Sequence, residues 1–258
     1  MTHIHTQTLG TGSPIVLIHG WGMHSGIWLD FAQQLAAQHQ VILVDLPGHG
    51  HSPALTPFTL DNIIDSLAAA LPDKPCCWLG WSLGATVAMA FVRHYPARAS
   101  ALILLAGNPC FLQQADWPGI RPVVLESFAD KLQADTHGTL LRFLSIQVMA
   151  LPNAKSLGKA LKTAVLACPA PSTETLQGGL TILKDSDLRA DLAAINAPIL
   201  VLLGKNDSLI PAALQAPLKQ LLPAADIQVL EQAAHTPFLS HPAELLAAIN
   251  AFMDKHRC

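Results

Sequence analysis

Charge is scarce in this chain. Only 13% of its 258 residues are Asp, Glu, Lys or Arg, and 15 basic residues face 18 acidic ones. A net charge of −3 argues against a nucleic-acid binder, whose affinity comes from phosphate-neutralising cations. No apolar run reaches the ~20 residues of a membrane-spanning helix, so no membrane association is expected. Met1-Thr2-His3-Ile4-His5 lacks the basic segment and hydrophobic block of a secretory leader, and a cytoplasmic location is expected. The cysteines at 76, 77, 110, 168 and 258 are odd in number and show no CxxC spacing. Buried reduced thiols fit better than a disulfide or zinc framework. Internal repeats and low-complexity segments are also missing.

What is present is apolar: 51% of the residues are hydrophobic, enough for one large domain or a core with an insertion. Short β-rich runs alternate with helical patterns, as in a mostly parallel sheet covered on both faces. The runs are Ile15–Ile18, Val41–Val44, Cys76–Leu79, Ala101–Leu105, Ile199–Leu203 and Ile227–Leu230, with His3–Leu9 as an edge strand. Leu60, Ile63, Ile64, Leu67 and Leu71 form one helical stripe with Thr59 as N-cap. Further helices are expected over Leu83–His94 and from Pro242. The alternation stops between Phe111 and Ser186. There the pattern predicts helices near 120–133, 137–150, 154–167 and 172–184, broken by Pro152, Pro169 and Pro171. The expected organisation is a core of 1–110 and 187–258 with a helical cap, 111–186, over the C-terminal strand ends where such sheets bind ligands.

Gly80-Trp81-Ser82-Leu83-Gly84 sits between a strand run and an Ala-rich helical run. A turn this sharp leaves no room for side chains beside the serine, and it presents the hydroxyl at its tip. Ser82 is therefore the expected nucleophile. A serine hydroxyl needs an imidazole oriented by a carboxylate, and both partners are expected beyond later strand ends. Asp207 follows Ile199–Gly204, and His235 follows Ile227–Leu230 and precedes the last helix. Asp45 competes as the acid, but it precedes Ser82 and opens a Pro-Gly turn suited to a structural aspartate. Asp185 and Asp187 are minor candidates. His49 and His51 flank Gly50 in an expected surface turn; neither that pair nor His3 with His5 has a third ligand at metal-binding spacing. No metal or cofactor is expected. The oxyanion should be held by the backbone N–H groups of Leu83 and of Trp21, in His19-Gly20-Trp21-Gly22. Backbone donors leave both side chains free to be apolar and line the pocket.

Charge is also uneven. No Lys or Arg precedes Lys74, whereas Thr136–Thr173 holds Arg142, Lys155, Lys159 and Lys162 and no carboxylate. The three lysines share one helical face. That face reads either as a solvated surface or as a docking site for an acidic partner.

These residues resemble the α/β-hydrolase family along the whole chain. Within it the chain is similar to the pimeloyl-[acyl-carrier protein] methyl ester esterases. The similarity includes His19-Gly20-Trp21-Gly22, Val44-Asp45-Leu46-Pro47-Gly48, Leu79–Gly84, Ala233-Ala234-His235 and Ser240-His241-Pro242-Ala243-Glu244. In the cap it includes Pro109-Cys110-Phe111, Trp117-Pro118-Gly119-Ile120, Arg142-Phe143-Leu144 with Gln147, and Gly178-Gly179-Leu180 followed by Ile182-Leu183-Lys184. The resemblance implies an α/β-hydrolase fold with an inserted four-helix cap and hydrolysis of the methyl ester of pimeloyl-acyl carrier protein in biotin synthesis. It implies Ser82, Asp207 and His235 as the triad. The implied substrate contacts are Trp21, Ser82, Leu83, His235 and the segment Phe143, Leu144, Ser145, Ile146 and Gln147. It implies docking of the acidic carrier by Arg142, Lys155 and Lys159, with Gly138 standing where the family has a further arginine, and the docking reading of the basic face is preferred. The enzyme is expected as a monomer that meets its carrier transiently. A general short-chain carboxylesterase or lactonase is the alternative. A non-catalytic scaffold of the same fold is the remote one.

Overall fold

Runs of Val, Ile and Leu without polar interruption need cover on both faces, and helices supply it. The computed structural model describes residues 4–149 and 151–258; His3 lies outside them. The chain runs β1 (Thr6–Leu9), β2 (Pro14–Ile18), α1 (Leu29–Leu35), β3 (Gln40–Val44), α2 (Leu60–Ala70), β4 (Cys76–Trp81), α3 (Leu83–His94) and β5 (Ala99–Leu105). Four helices follow: α4 (Pro122–Ala134), α5 (Thr136–Ile146), α6 (Ala154–Val165) and α7 (Thr173–Asp185). The remainder is α8 (Arg189–Ala193), β6 (Ile199–Gly204), α9 (Gln215–Leu221), β7 (Asp226–Leu230), α10 (Pro237–Ser240) and α11 (Pro242–His256). No helix among the described residues is long and apolar enough to cross a membrane.

The sheet order is β1-β3-β2-β4-β5-β6-β7. Among the described residues only β1 is antiparallel to its neighbour; every other pair is parallel. Side chains alternate between faces along each strand. Val16, Ile18, Trp78, Leu102 and Leu104 pack on one face with α2 and α3. Ile15, Leu17, Cys77, Leu79 and Ile103 pack on the other with α1 and α11. Thr59 caps α2 by accepting the Asn62 N–H at 3.4 Å.

Parallel strands bring the loops after β2, β3, β4, β6 and β7 to one end of the sheet. At the β4–α3 turn Ser82 has φ 56° and ψ −120°, a conformation that costs a non-glycine residue energy. The flanking glycines permit the turn. A Cβ on Gly80 would strike the Gly84 carbonyl, and a Cβ on Gly84 would strike the carbonyl of Ile18 and lie 2.6 Å from that of His19. The α3 N-terminus thus packs directly on the end of β2.

A buried polar network fixes the neighbouring loops. The His19 Nδ1–H donates to the Gly20 carbonyl at 2.8 Å while its Nε2 accepts the Leu46 N–H at 3.0 Å. Those two bonds define a neutral ring, and burial pushes its pKa down to about 3. Asp45 accepts the amides of Ser25 (2.6 Å) and His51 (2.9 Å), the structural role its turn suggested. Burial raises the Asp45 pKa, but these bonds leave it below the usual carboxylate value. His49 is not on the surface as expected; it is 1% exposed. Its ring packs 5.1 Å from that of His19, and Nδ1–H donates to the Pro47 carbonyl at 2.9 Å. Nε2 is buried without a partner, so a second proton there would be desolvated, and the pKa falls to about 4. All five cysteines are free; Cys76, Cys77 and Cys110 are buried, whereas Cys168 and Cys258 are partly exposed, contrary to the expectation of buried thiols throughout.

Two outcomes follow for stability. Gly84→Ala forces a methyl group into the β2 carbonyls and should cost about 3 kcal/mol, read as a lower urea midpoint; an unchanged midpoint would show the turn has slack. His49 and His19 have folded pKa values below the unfolded value of about 6.5. Their contribution is therefore complete above about pH 6.5 and is lost as pH falls toward about 4 (His49) and 3 (His19). Between pH 7 and 5.5 each should remove about 1 kcal/mol of stability. His49→Gln should flatten that decline by its own share, and an equally steep decline would mean that His49 takes up its proton without unfolding.

Candidate active site

Asp207 lies in the loop after β6 and His235 in the loop after β7. Those loops touch because Gly204 has no side chain: a Cβ there would strike the Ala234 carbonyl and lie 2.7 Å from that of Ala233. The Asn206 N–H donates to the Ala233 carbonyl at 2.9 Å. Asp207 Oδ1 accepts the amides of Leu209 (2.8 Å) and Ile210 (3.0 Å). Its Oδ2 accepts His235 Nδ1–H at 2.8 Å, and the two side chains are 0% and 1% exposed. With Nδ1 holding the proton, Nε2 keeps its lone pair. That nitrogen is buried and has no protein partner. The Trp81 indole donates to the His235 carbonyl at 2.7 Å, tying this loop to the residue before Ser82. The Trp81 and His235 rings are 5.4 Å apart.

Two of the other candidate acids are engaged elsewhere. Asp45 holds loop amides, and Asp187 is paired with Arg189 at 2.6 Å, which keeps its carboxyl below the usual range. Asp185 ends α7. His5 and His51 rings meet edge-on at 4.9 Å. Among the described residues no trio of His, Cys, Asp or Glu is arranged to hold a metal ion.

Ser82 is 8% exposed and opens into a cleft of about 110 Å³. Every other residue lining the cleft is apolar, among them Trp21, Phe143, Ile146 and Leu209. The Trp21 ring stands edge-on to Phe128 (5.5 Å) and Phe143 (5.0 Å). Its Nε1–H donates to the Leu176 carbonyl of α7 at 2.8 Å. Neither the Trp21 nor the Leu83 N–H has a backbone acceptor among the turns, loops and caps of the described residues. Both amides are therefore available to an incoming oxygen.

Several expected contacts fall away from the cleft. Leu83 is fully buried and packs toward α7 rather than lining the wall. Leu144 packs into the core beneath the sheet's α1–α11 face, and Ser145 points outward with its hydroxyl on the Leu141 carbonyl. Successive helical residues diverge by about 100°, so a continuous stretch of α5 cannot face one cavity. Gln147 is 1% exposed, with both side-chain amide atoms unpartnered. Sequence reasoning missed the walls given by Val124, Leu125 and Phe128 of α4 and Leu180 and Leu183 of α7. Their i, i+3, i+4 spacing was the available signal, but spacing does not say which partner a face meets. It also missed His24, whose Nδ1 accepts the Gly26 N–H at 3.1 Å and whose Nε2–H donates to the Ala164 carbonyl at 3.0 Å, holding the end of α6.

A sequence profile for the alpha/beta hydrolase fold matches residues 13–242. A pimeloyl-[acyl-carrier protein] methyl ester esterase of Serratia marcescens is 41% identical over 257 residues, covering 99% of this chain and 100% of the relative. One of the same name from Cronobacter sakazakii is 42% identical over 252 residues, 97% of each. Among solved structures, an esterase from Exiguobacterium antarcticum superposes with a TM-score of 0.88 at 23% identity, covering 98% of this chain and 96% of the other. A thermophilic esterase from Thermogutta terrifontis gives 0.84 at 23% identity, covering 99% and 94%. The elbow serine, the parallel sheet and this full-length similarity lead to one conclusion: the chain belongs to the α/β-hydrolase family.

Proposed function

We propose that the protein is a serine carboxylesterase that hydrolyses the methyl ester of pimeloyl-acyl carrier protein, releasing methanol and leaving the free carboxylate on its carrier, a step of biotin biosynthesis. The observation that carries the reading is the buried Asp207–His235 pair with its unpartnered Nε2, in a loop that Trp81 ties to the serine elbow. The substrate assignment rests on relatives of that name at about 40% identity over nearly their whole length.

In this reading Ser82 Oγ attacks the ester carbonyl as His235 Nε2 takes its proton. The tetrahedral oxyanion accepts hydrogen bonds from the Leu83 and Trp21 amides. His235 returns the proton to the departing methoxide, and methanol leaves. Water then attacks the acyl-enzyme with the same base, and Ser82 is regenerated. Asp207 holds the imidazole tautomer and stabilises its protonated form. The apolar cleft suits a methylene chain ending in an uncharged ester.

Helices α4–α7, within 111–186, act as the cap over a hydrolase core. The carrier docks on the cap's basic side. Lys155, Lys159 and Lys162 are exposed, and among the described residues none pairs with a carboxylate. Arg142 is already paired with Asp135 at 3.3 Å, so it contributes less than the lysines. The enzyme works as a cytoplasmic monomer meeting its acidic carrier transiently.

Ser82→Ala should lower kcat by at least about 10⁴-fold, and Asp207→Asn by a similar factor through the wrong tautomer. Turnover of Ser82→Ala near the wild-type rate would remove the serine from the chemistry. Reversing Lys155 and Lys159 to Glu should raise KM for carrier-bound ester roughly tenfold and spare p-nitrophenyl acetate. High salt should reproduce that selectivity. Equal effects on both substrates would dismiss the docking face.

A further inference from the structure

Two adjacent glycines at the centre of a helix are costly, about 1 kcal/mol each relative to alanine. Helix α7 has them, Gly178 and Gly179, where it meets the core. A Cβ on Gly178 would lie 2.9 Å from the Phe58 side chain. A Cβ on Gly179 would lie 2.7 Å from Trp21 Cδ1, 3.1 Å from its Nε1 and 3.3 Å from Leu83 Cδ2. One bare helix position thus abuts the side chains of both residues whose amides the esterase reading assigns to the oxyanion. One turn earlier, the Leu176 carbonyl accepts the Trp21 indole N–H at 2.8 Å.

The loop carrying Trp21 is anchored on one side of the tryptophan, where the Gly20 carbonyl accepts the His19 Nδ1–H at 2.8 Å. Gly20 and Gly22 flank the tryptophan, Gly22 at φ +69°. The nearest backbone bond is a long one, Met23 N–H to Gly20 O at 3.3 Å. Beside Gly22 stand Leu140 of α5 and Leu176 of α7, 2.7 and 3.4 Å from where a Cβ would be. A backbone N–H between two glycines is aimed by whatever fixes the side chain on the same residue. Here that is the indole, held by one hydrogen bond, two edge-on rings and the notch at Gly179.

We propose that α7 sets the direction of the Trp21 amide, with Leu176 (through its carbonyl) and Gly179 as positioning residues for the oxyanion site. The inference rests on the serine-esterase reading above. It makes α7 a fixed brace of the catalytic apparatus, unlike a lid that lifts away during each turnover. An oxyanion donor acts only at about 2.7–3.1 Å from the developing charge, so a tilt of the loop lowers kcat and leaves ground-state binding nearly intact.

The test compares Gly179→Ala with Gly178→Ala, using p-nitrophenyl acetate and an alkyl boronic acid whose adduct on Ser82 places an oxygen in the oxyanion site. Gly179→Ala should lower kcat at least about tenfold, change KM by less than about twofold, and weaken the boronic acid at least about tenfold. Gly178→Ala should lose comparable stability while keeping kcat within about twofold. Trp21→Phe, which removes the bond to Leu176 without adding atoms, should act like Gly179→Ala. The double variant should be no worse than either single one, because both lose the same aim. Equal kcat for the two alanine variants, or additive losses in the double variant, overturns the proposal. Should Gly179→Ala not fold, Trp21→Phe with kcat within about twofold of wild type overturns it alone. Wild-type protein that a fluorophosphonate fails to label at Ser82 overturns the esterase reading itself; labelled wild type with unmoved variants overturns only this one.

Discussion

A single buried hydrogen bond, His235 Nδ1–H to Asp207 Oδ2 at 2.8 Å, decides what the rest of the site can do. It places the imidazole proton on Nδ1 and leaves Nε2 as the only basic lone pair of the ring. The carboxylate is itself held in place, because two backbone amides, of Leu209 and Ile210, donate to its other oxygen. Charge-assisted bonds of this kind are shorter and stronger than neutral ones.

Bringing those two loops together is a problem of space before it is one of electrostatics. Gly204 lets the end of β6 lie against the Ala233–Ala234 backbone; Gly80 and Gly84 let α3 start against the end of β2. A methyl group at either place would separate loops whose contacts have tolerances of tenths of an ångström. The same logic recurs at α7, where the absence of a side chain at Gly179 seats Trp21. The buried His19, His49 and Asp45 network performs the polar half of this work. It exchanges loop amides for side-chain acceptors and keeps both rings neutral.

Much of this was legible in the sequence because it is local. The strand runs are continuous and apolar, and the elbow is five residues long. Asp207 and His235 each follow a strand by a few positions. The helices within 111–186 showed through proline breaks and apolar spacing, with boundaries shifted by a few residues where frayed ends and caps decide. What was not legible depends on neighbours distant in the chain. His49 looked exposed because it sits in a Pro-Gly turn, yet that turn folds under the His19 loop. Leu144 and Ser145 look like part of one contiguous contact segment, but helical geometry turns them about 100° apart, one into the core and one outward. The Trp21–Leu176 bond joins residues 155 positions apart, and no local pattern encodes it.

The central claim is that Asp207 holds His235 in one tautomer, with the proton on Nδ1 and Nε2 free to act on Ser82. Nitrogen-15 NMR of histidine-labelled protein at neutral pH, with His235 assigned by its loss in a His235→Gln variant, reads that tautomer directly. The account predicts a protonated Nδ1 and a bare Nε2 in the native protein, with the preference weakened in Asp207→Asn. A resting His235 with its proton on Nε2, or one indifferent to Asp207, would contradict it.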